Sequence, residues 1–192
     1  MTALPPEDAL LPGYARGVIR AALGGPKTPR PAGPSFDRRA AAFVTLRWPD
    51  GTLQGCIGTI EPRAPLADAV AGAARSAAFQ DPRGRPLHLP DADALFIEVS
   101  VLSPTEPIPC TDEPSARAAL RPGKDGVVLR CRGHQGTFLP QMWPRLGDPA
   151  TFLTELKRKA GLPADYWSPD IELLRYTVET HTDGQEPPEE HD

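Results

Sequence analysis

Apolar positions along this chain recur with two periods, near 2 in some segments and near 3.6 in others, and the alternation predicts short strands with helices packed on them. In residues 42–48, Val44, Leu46 and Trp48 share one face while Phe43, Thr45 and Arg47 share the other. Residues 95–102 repeat the pattern, with Leu95, Ile97, Val99 and Val101 on one side and Phe96, Glu98, Ser100 and Leu102 on the other. Further strands are predicted at 127–131, 137–139 and 173–179. Helical spacing runs through 9–23, where Leu10, Leu11, Tyr14, Val18, Ile19 and Ala22 recur, although Gly13 and Gly17 weaken it. It returns over 66–79, where Leu66, Val70, Ala73 and Ala77 make a small-residue face suited to lying close on a sheet. Asp148-Pro149 reads as an N-cap with proline at the first helical position, Gly161 as a C-cap, and Phe152, Leu153, Leu156 and Ala160 as the buried stripe between them. A short helix is expected at 113–120.

Turn chemistry joins these elements. Pro49-Asp50-Gly51 closes a hairpin whose returning arm is 53–60, and Gly133-His134-Gln135-Gly136 is expected to close a second between 127–131 and 137–139. Repeated hairpins imply an α+β fold with a mostly antiparallel sheet and packed helices. Residues 24–34 carry Gly, Pro, Lys and Arg without a periodic face and read as an exposed connector.

Composition narrows the function classes. A chain of 192 residues can bury a sizeable core, and with 6% aromatic residues that core is mostly aliphatic. The 25 prolines are spread through the patterned segments as well as the loops, which implies rigid loops. The net charge of −4 becomes +1 once the five carboxylates from Asp183 onward are set aside, so the folded part is nearly neutral. Nothing resembles the basic surplus that nucleic acid or an anionic membrane requires. No apolar run approaches a membrane span and the N-terminus lacks a signal-peptide core, so a cytoplasmic protein is expected. Cys56, Cys110 and Cys131, odd in number and widely spaced, read as reduced thiols, and neither they nor the four histidines show metal-ligand spacing. No metal and no cofactor are predicted.

Candidate chemistry gathers on Leu53-Gln54-Gly55-Cys56-Ile57-Gly58-Thr59-Ile60, where one cysteine is flanked by glycines that let a backbone or a ligand come close. Cys56 is a candidate nucleophile or covalent carrier. It is equally a candidate for a small, soft residue in the wall of a cleft, the more common fate of a free cysteine. Glu98, a carboxylate in mid-strand, is a general acid or base if buried beside apolar neighbours and the polar half of an amphipathic strand if it faces water. Gln54, Gly55, Ile57, Gly58 and Thr59 are the ligand-contact candidates of the cysteine arm. Asp81 and Arg83, in the polar loop 80–86 after the helix, can reach a ligand or pair with each other. Gly55-Cys56-Ile57-Gly58 formally matches the Gly-x-x-Gly loop of KH modules, but it lacks basic neighbours and lies in strand context, so RNA binding is disfavoured.

The same stretch resembles the signature of the AMMECR family, Leu-Arg-Gly-Cys-Ile-Gly-Thr, in six of seven positions. Similar blocks follow in family order at 76–83, 97–103, 120–127, 137–143 and 159–162, so the resemblance spans roughly 36–179. Residues 1–35 then form an N-terminal helix and connector, and 180–192 an acidic tail expected to be disordered. The resemblance implies a two-lobed domain, with Cys56 lining a cleft between the lobes. It also implies an accessory role beside a Memo-like protein and a radical SAM enzyme, with an unidentified small molecule. In these blocks no histidine stands ready to pair with Cys56, which argues against a protease-type dyad and leaves Glu98, Thr59 or a loop residue to set its protonation. Two positions depart from the family pattern: Gln54 replaces an arginine, and Gly84 stands where phenylalanine is common. Gln54 cannot supply the positive charge that would favour a thiolate.

Overall fold

In the computed structural model, residues 10–184 are described, and the chain divides into two compact units: Ser103–Val178, and the remainder on either side of it. In chain order the elements are α1 (Leu11–Ala22), α2 (Pro34–Asp37), β1 (Arg39–Arg47), β2 (Leu53–Gly58), β3 (Ala64–Pro65), α3 (Leu66–Phe79), α4 (Asp91–Ala94) and β4 (Phe96–Leu102). They continue with β5 (Glu106–Pro107), α5 (Glu113–Ala119), β6 (Gly126–Cys131), β7 (His134–Phe138), α6 (Trp143–Leu146), α7 (Pro149–Lys159), β8 (Glu172–Tyr176) and β9 (Val178–Thr182). Helices packed on antiparallel sheets make the expected α+β class. Among the described residues no helix is long and apolar enough to cross a membrane.

The first unit carries a sheet in the order β2-β1-β4-β9, with β3 pairing on β1. Alternation decides its inner face: Ala42, Val44 and Leu46 of β1 and Ile97, Val99 and Val101 of β4 meet Leu66, Val70, Ala74 and Ala77 of α3 in one core. Leu11, Ala15 and Ile19 of α1 complete it. Burying each Leu, Ile or Val side chain is worth roughly 1.5–3 kcal/mol, so the stripe predicted for α1 makes that helix part of this core. Its alanines let α3 lie close on the sheet. Two further short helices, α2 and α4, bury Phe36 and Ala92.

The second unit has a sheet in the order β5-β8-β6-β7. Val127, Leu129, Phe138, Trp143, Phe152, Leu153 and Leu156 share its core. Trp143 stacks on Phe152 with ring centroids 4.0 Å apart, and its Nε1 donates to the Asp125 carbonyl at 2.7 Å. The cap at Asp148 is present, its carboxylate accepting from the amides of Ala150 at 2.8 Å and Thr151 at 3.1 Å. Lys157 is buried on α7 and donates to Glu113 of α5 at 3.0 Å.

Three expectations change. The second hairpin closes in two residues, Arg132 and Gly133, both at positive φ, so His134, Gln135 and Gly136 lie within β7 and not in the turn. The strand expected at 173–179 is two strands in different sheets, broken at Thr177, whose amide donates to Ser103 Oγ at 2.9 Å. Periodicity cannot register a change of partner. The tail expected to be disordered from 180 is ordered as far as 184, because β9 runs to Thr182 and Asp183 accepts from the Ile97 amide at 2.9 Å while pairing with Arg16. The rest of that tail, 185–192, and the first nine residues lie outside the described residues.

Candidate functional site

The cysteine arm is the edge strand of the first sheet, and one irregularity fixes how its side chains point. Asp50 and Gly51 make the turn, with the Gly51 amide on the Trp48 carbonyl at 2.9 Å and the Thr52 amide on Asp50 Oδ1 at 2.9 Å. Pairing starts at Arg47 with Leu53, but the next pair is Leu46 with Gly55, so Gln54 is an extra residue. This bulge shifts the register by one and sets Cys56 opposite Thr45, and Ile57 opposite Val44. Without it, Cys56 would face Val44 and point into the core. With it, the thiol lies on the face of the sheet away from α3.

Gln54 holds the bulge. Its side chain is turned toward α3 and is almost fully buried. Oε1 accepts from Trp48 Nε1 at 3.0 Å and the Arg85 amide at 3.3 Å, while Nε2 donates to the Arg85 carbonyl at 2.8 Å and the Ala78 carbonyl at 3.4 Å. All four hydrogen-bonding positions of the amide are therefore used. The two departures from the family signature touch here. A Cβ on Gly84 would stand 2.3 Å from the Gln54 carbonyl oxygen and 2.7 Å from its Nε2, so a large side chain at 84 is incompatible with this arrangement.

The glycines that flank the cysteine are filled by the chain itself. A Cβ on Gly55 would lie 2.1 Å from the Ala77 carbonyl oxygen, so the end of α3 occupies that space. One on Gly58 would lie 2.2 Å from the Ala42 carbonyl oxygen and 2.5 Å from the Phe43 ring. Ile57 packs against the first core. Thr59 closes a turn, its Oγ1 accepting from the Glu61 amide at 3.1 Å while its own amide donates to the Ala42 carbonyl at 3.1 Å. Of the ligand-contact candidates on the arm, Gln54, Gly55 and Ile57 thus serve packing on the α3 side, and Gly58 shares the outer face with Cys56.

On that outer face the β1–β2 and β1–β4 registers place Cys56, Thr45 and Glu98 in one row across three strands. Thr45 Oγ1 donates to Cys56 Sγ at 3.2 Å. The Cys56 side is half-buried, and so is Glu98, which accepts from Ser100 Oγ at 3.1 Å. Glu98 stands two strands from Cys56, about 10 Å at the usual strand spacing, with Thr45 between them. The threonine is the member of the row that sequence reading passed over. Its face was legible, but its pairing with Cys56 depends on the bulge.

Asp81 and Arg83 meet at the strand edge. The buried Asp81 carboxylate accepts the Cys56 amide at 2.9 Å, an amide that β1 does not use, and so covers the open edge of the sheet at that residue. Arg83 grips the same carboxylate through Nε at 2.9 Å and Nη2 at 2.6 Å. The side-chain hydrogen bonds from Arg83, with the amides of Cys56 and Arg83 beside them, hold the Asp81 carboxyl far below the ordinary range despite burial. Arg83 therefore brings a positive charge into the neighbourhood of Cys56, although Asp81 balances it. Arg63 is committed elsewhere, to Glu61. Arg85 lies over the Trp48 ring at 3.7 Å.

The comparisons with known proteins agree with the motif. The profile of the AMMECR1 family matches residues 12–181, from α1 to β9, a wider span than the signature blocks cover. The chain is 36% identical over 170 residues to Protein MJ0810 of Methanocaldococcus jannaschii, spanning 86% of this chain and 85% of that one. It is 39% identical over 152 residues to a protein of Methanothermobacter thermautotrophicus, spanning 78% and 79%. The crystal structure of uncharacterized protein PH0010 from Pyrococcus horikoshii superimposes with a TM-score of 0.83 at 33% identity, over 93% of this chain and 92% of that one.

Proposed function

The chain belongs to the AMMECR1 family, and from that premise we propose that it is an accessory component working beside a Memo-like protein and a radical SAM enzyme. Its contribution is the outer face around Cys56, which receives a small molecule or a partner's side chain. The observation that carries this reading is the row Cys56–Thr45–Glu98, a thiol, a hydroxyl and a carboxylate side by side on the sheet face opposite the packed helices. A core-facing cysteine would need no such neighbours. The test is size-exclusion chromatography of the full chain with each partner at micromolar concentration, followed by iodoacetamide labelling of the complex. Co-elution with Cys56 protected is the expected result; a chain that elutes alone overturns the assembly.

A second reading has Cys56 as a nucleophile or covalent carrier, and the hydrogen bond that Thr45 donates to its sulfur favours it. The other thiols are placed less well for such work. Burial, with the Asp112 carboxylate nearby, pushes the Cys110 thiol up, and Cys131 is 3% exposed in the second core. Limited alkylation near neutral pH should therefore modify Cys56 first by mass spectrometry, and equal or slower labelling would leave the sulfur a wall atom.

A further inference from the structure

We draw no further inference here: the strongest candidate, the side-chain cluster of Cys56, Thr45 and Glu98 on the outer face of the first sheet, belongs to the site already described, and nothing in the structure shows what covers it.

Discussion

Replacing Gly55 by alanine adds one methyl group at the point where the cysteine strand meets the end of α3. That carbon would stand 2.1 Å from the Ala77 carbonyl oxygen, 2.9 Å from the Ala77 carbonyl carbon and 3.0 Å from Asp81 Cβ. Ordinary carbon contacts lie at roughly 3.5–4.0 Å, so helix and strand must separate by more than about 1 Å, and the obstacle is backbone that cannot rotate away. Overpacking of this kind costs typically about 1–3 kcal/mol, and a backbone clash belongs at the upper end, about 3 kcal/mol. For a chain of this size about 1 kcal/mol moves the thermal midpoint by roughly 2–4 °C, so Gly55→Ala should lower it by about 6–12 °C. The same substitution at Gly72, exposed in the middle of α3 with no atom within 4 Å of the new carbon, should act in the opposite direction. There the helix gains about 0.8–1 kcal/mol of propensity, and the midpoint should rise by about 2–4 °C. Differential scanning calorimetry of both variants decides the matter. A Gly55→Ala midpoint within about 2 °C of the wild type would refute the seating of α3 on the strand at this residue.

Three further substitutions probe buried charges. The folded-state Asp81 carboxyl is held below its unfolded value, so its contribution is fully present above pH ~4 and is lost as the pH falls below that. Asp81→Asn should therefore destabilise at pH 7 by urea unfolding, and its deficit against the wild type should shrink at pH 3; a deficit independent of pH would contradict the assignment. In the second unit, burial works to raise the Glu113 carboxyl, but hydrogen bonds from Lys157 and Arg117 outweigh it and hold the group low. Lys157 is 1% exposed and Glu113 15% on their side chains. Glu113→Gln strands the deeper charge and should cost about 3–5 kcal/mol, more than Lys157→Met, which leaves Glu113 paired with Arg117. Denaturant midpoints in the reverse order would refute that reasoning.

What could be read from the chain was whatever depends on near neighbours. Alternation over 43–48 and 95–102 separated the side chains of β1 and β4 that face α3 from those on the other side of the sheet, because the period of a strand allows no intermediate, although β1 itself begins earlier, at Arg39. Asp148 capped its helix because a side-chain oxygen and a proline there act within one turn. Reading failed where distant residues decide. Thr177 divides one apolar run into β8 and β9 because each half finds a different sheet. Asp183, counted with an acidic tail, is held by Arg16, far away in sequence. Asp81 and Arg83 were legible as a pair, but the cover they place on the Cys56 amide was not.

The cysteine shows most sharply why the site is harder to read than the fold. Counting back evenly from the turn pairs Cys56 with Val44, and the thiol would then be a core atom of the kind free cysteines usually are. A single extra residue reverses that outcome, and the residue that makes it is Gln54, whose amide is saturated by Trp48, Arg85 and Ala78. Strand propensity does not specify this; loop 80–86 does, by presenting the Arg85 amide and carbonyl at the distance a glutamine spans. Gly84 belongs to the same arrangement, since any Cβ there would displace the glutamine. Gln54 and Gly84 are thus structurally linked, a glutamine and the space it needs. Its effect on Cys56 is to keep the thiol on the outer face beside Thr45 without bringing a charge to it.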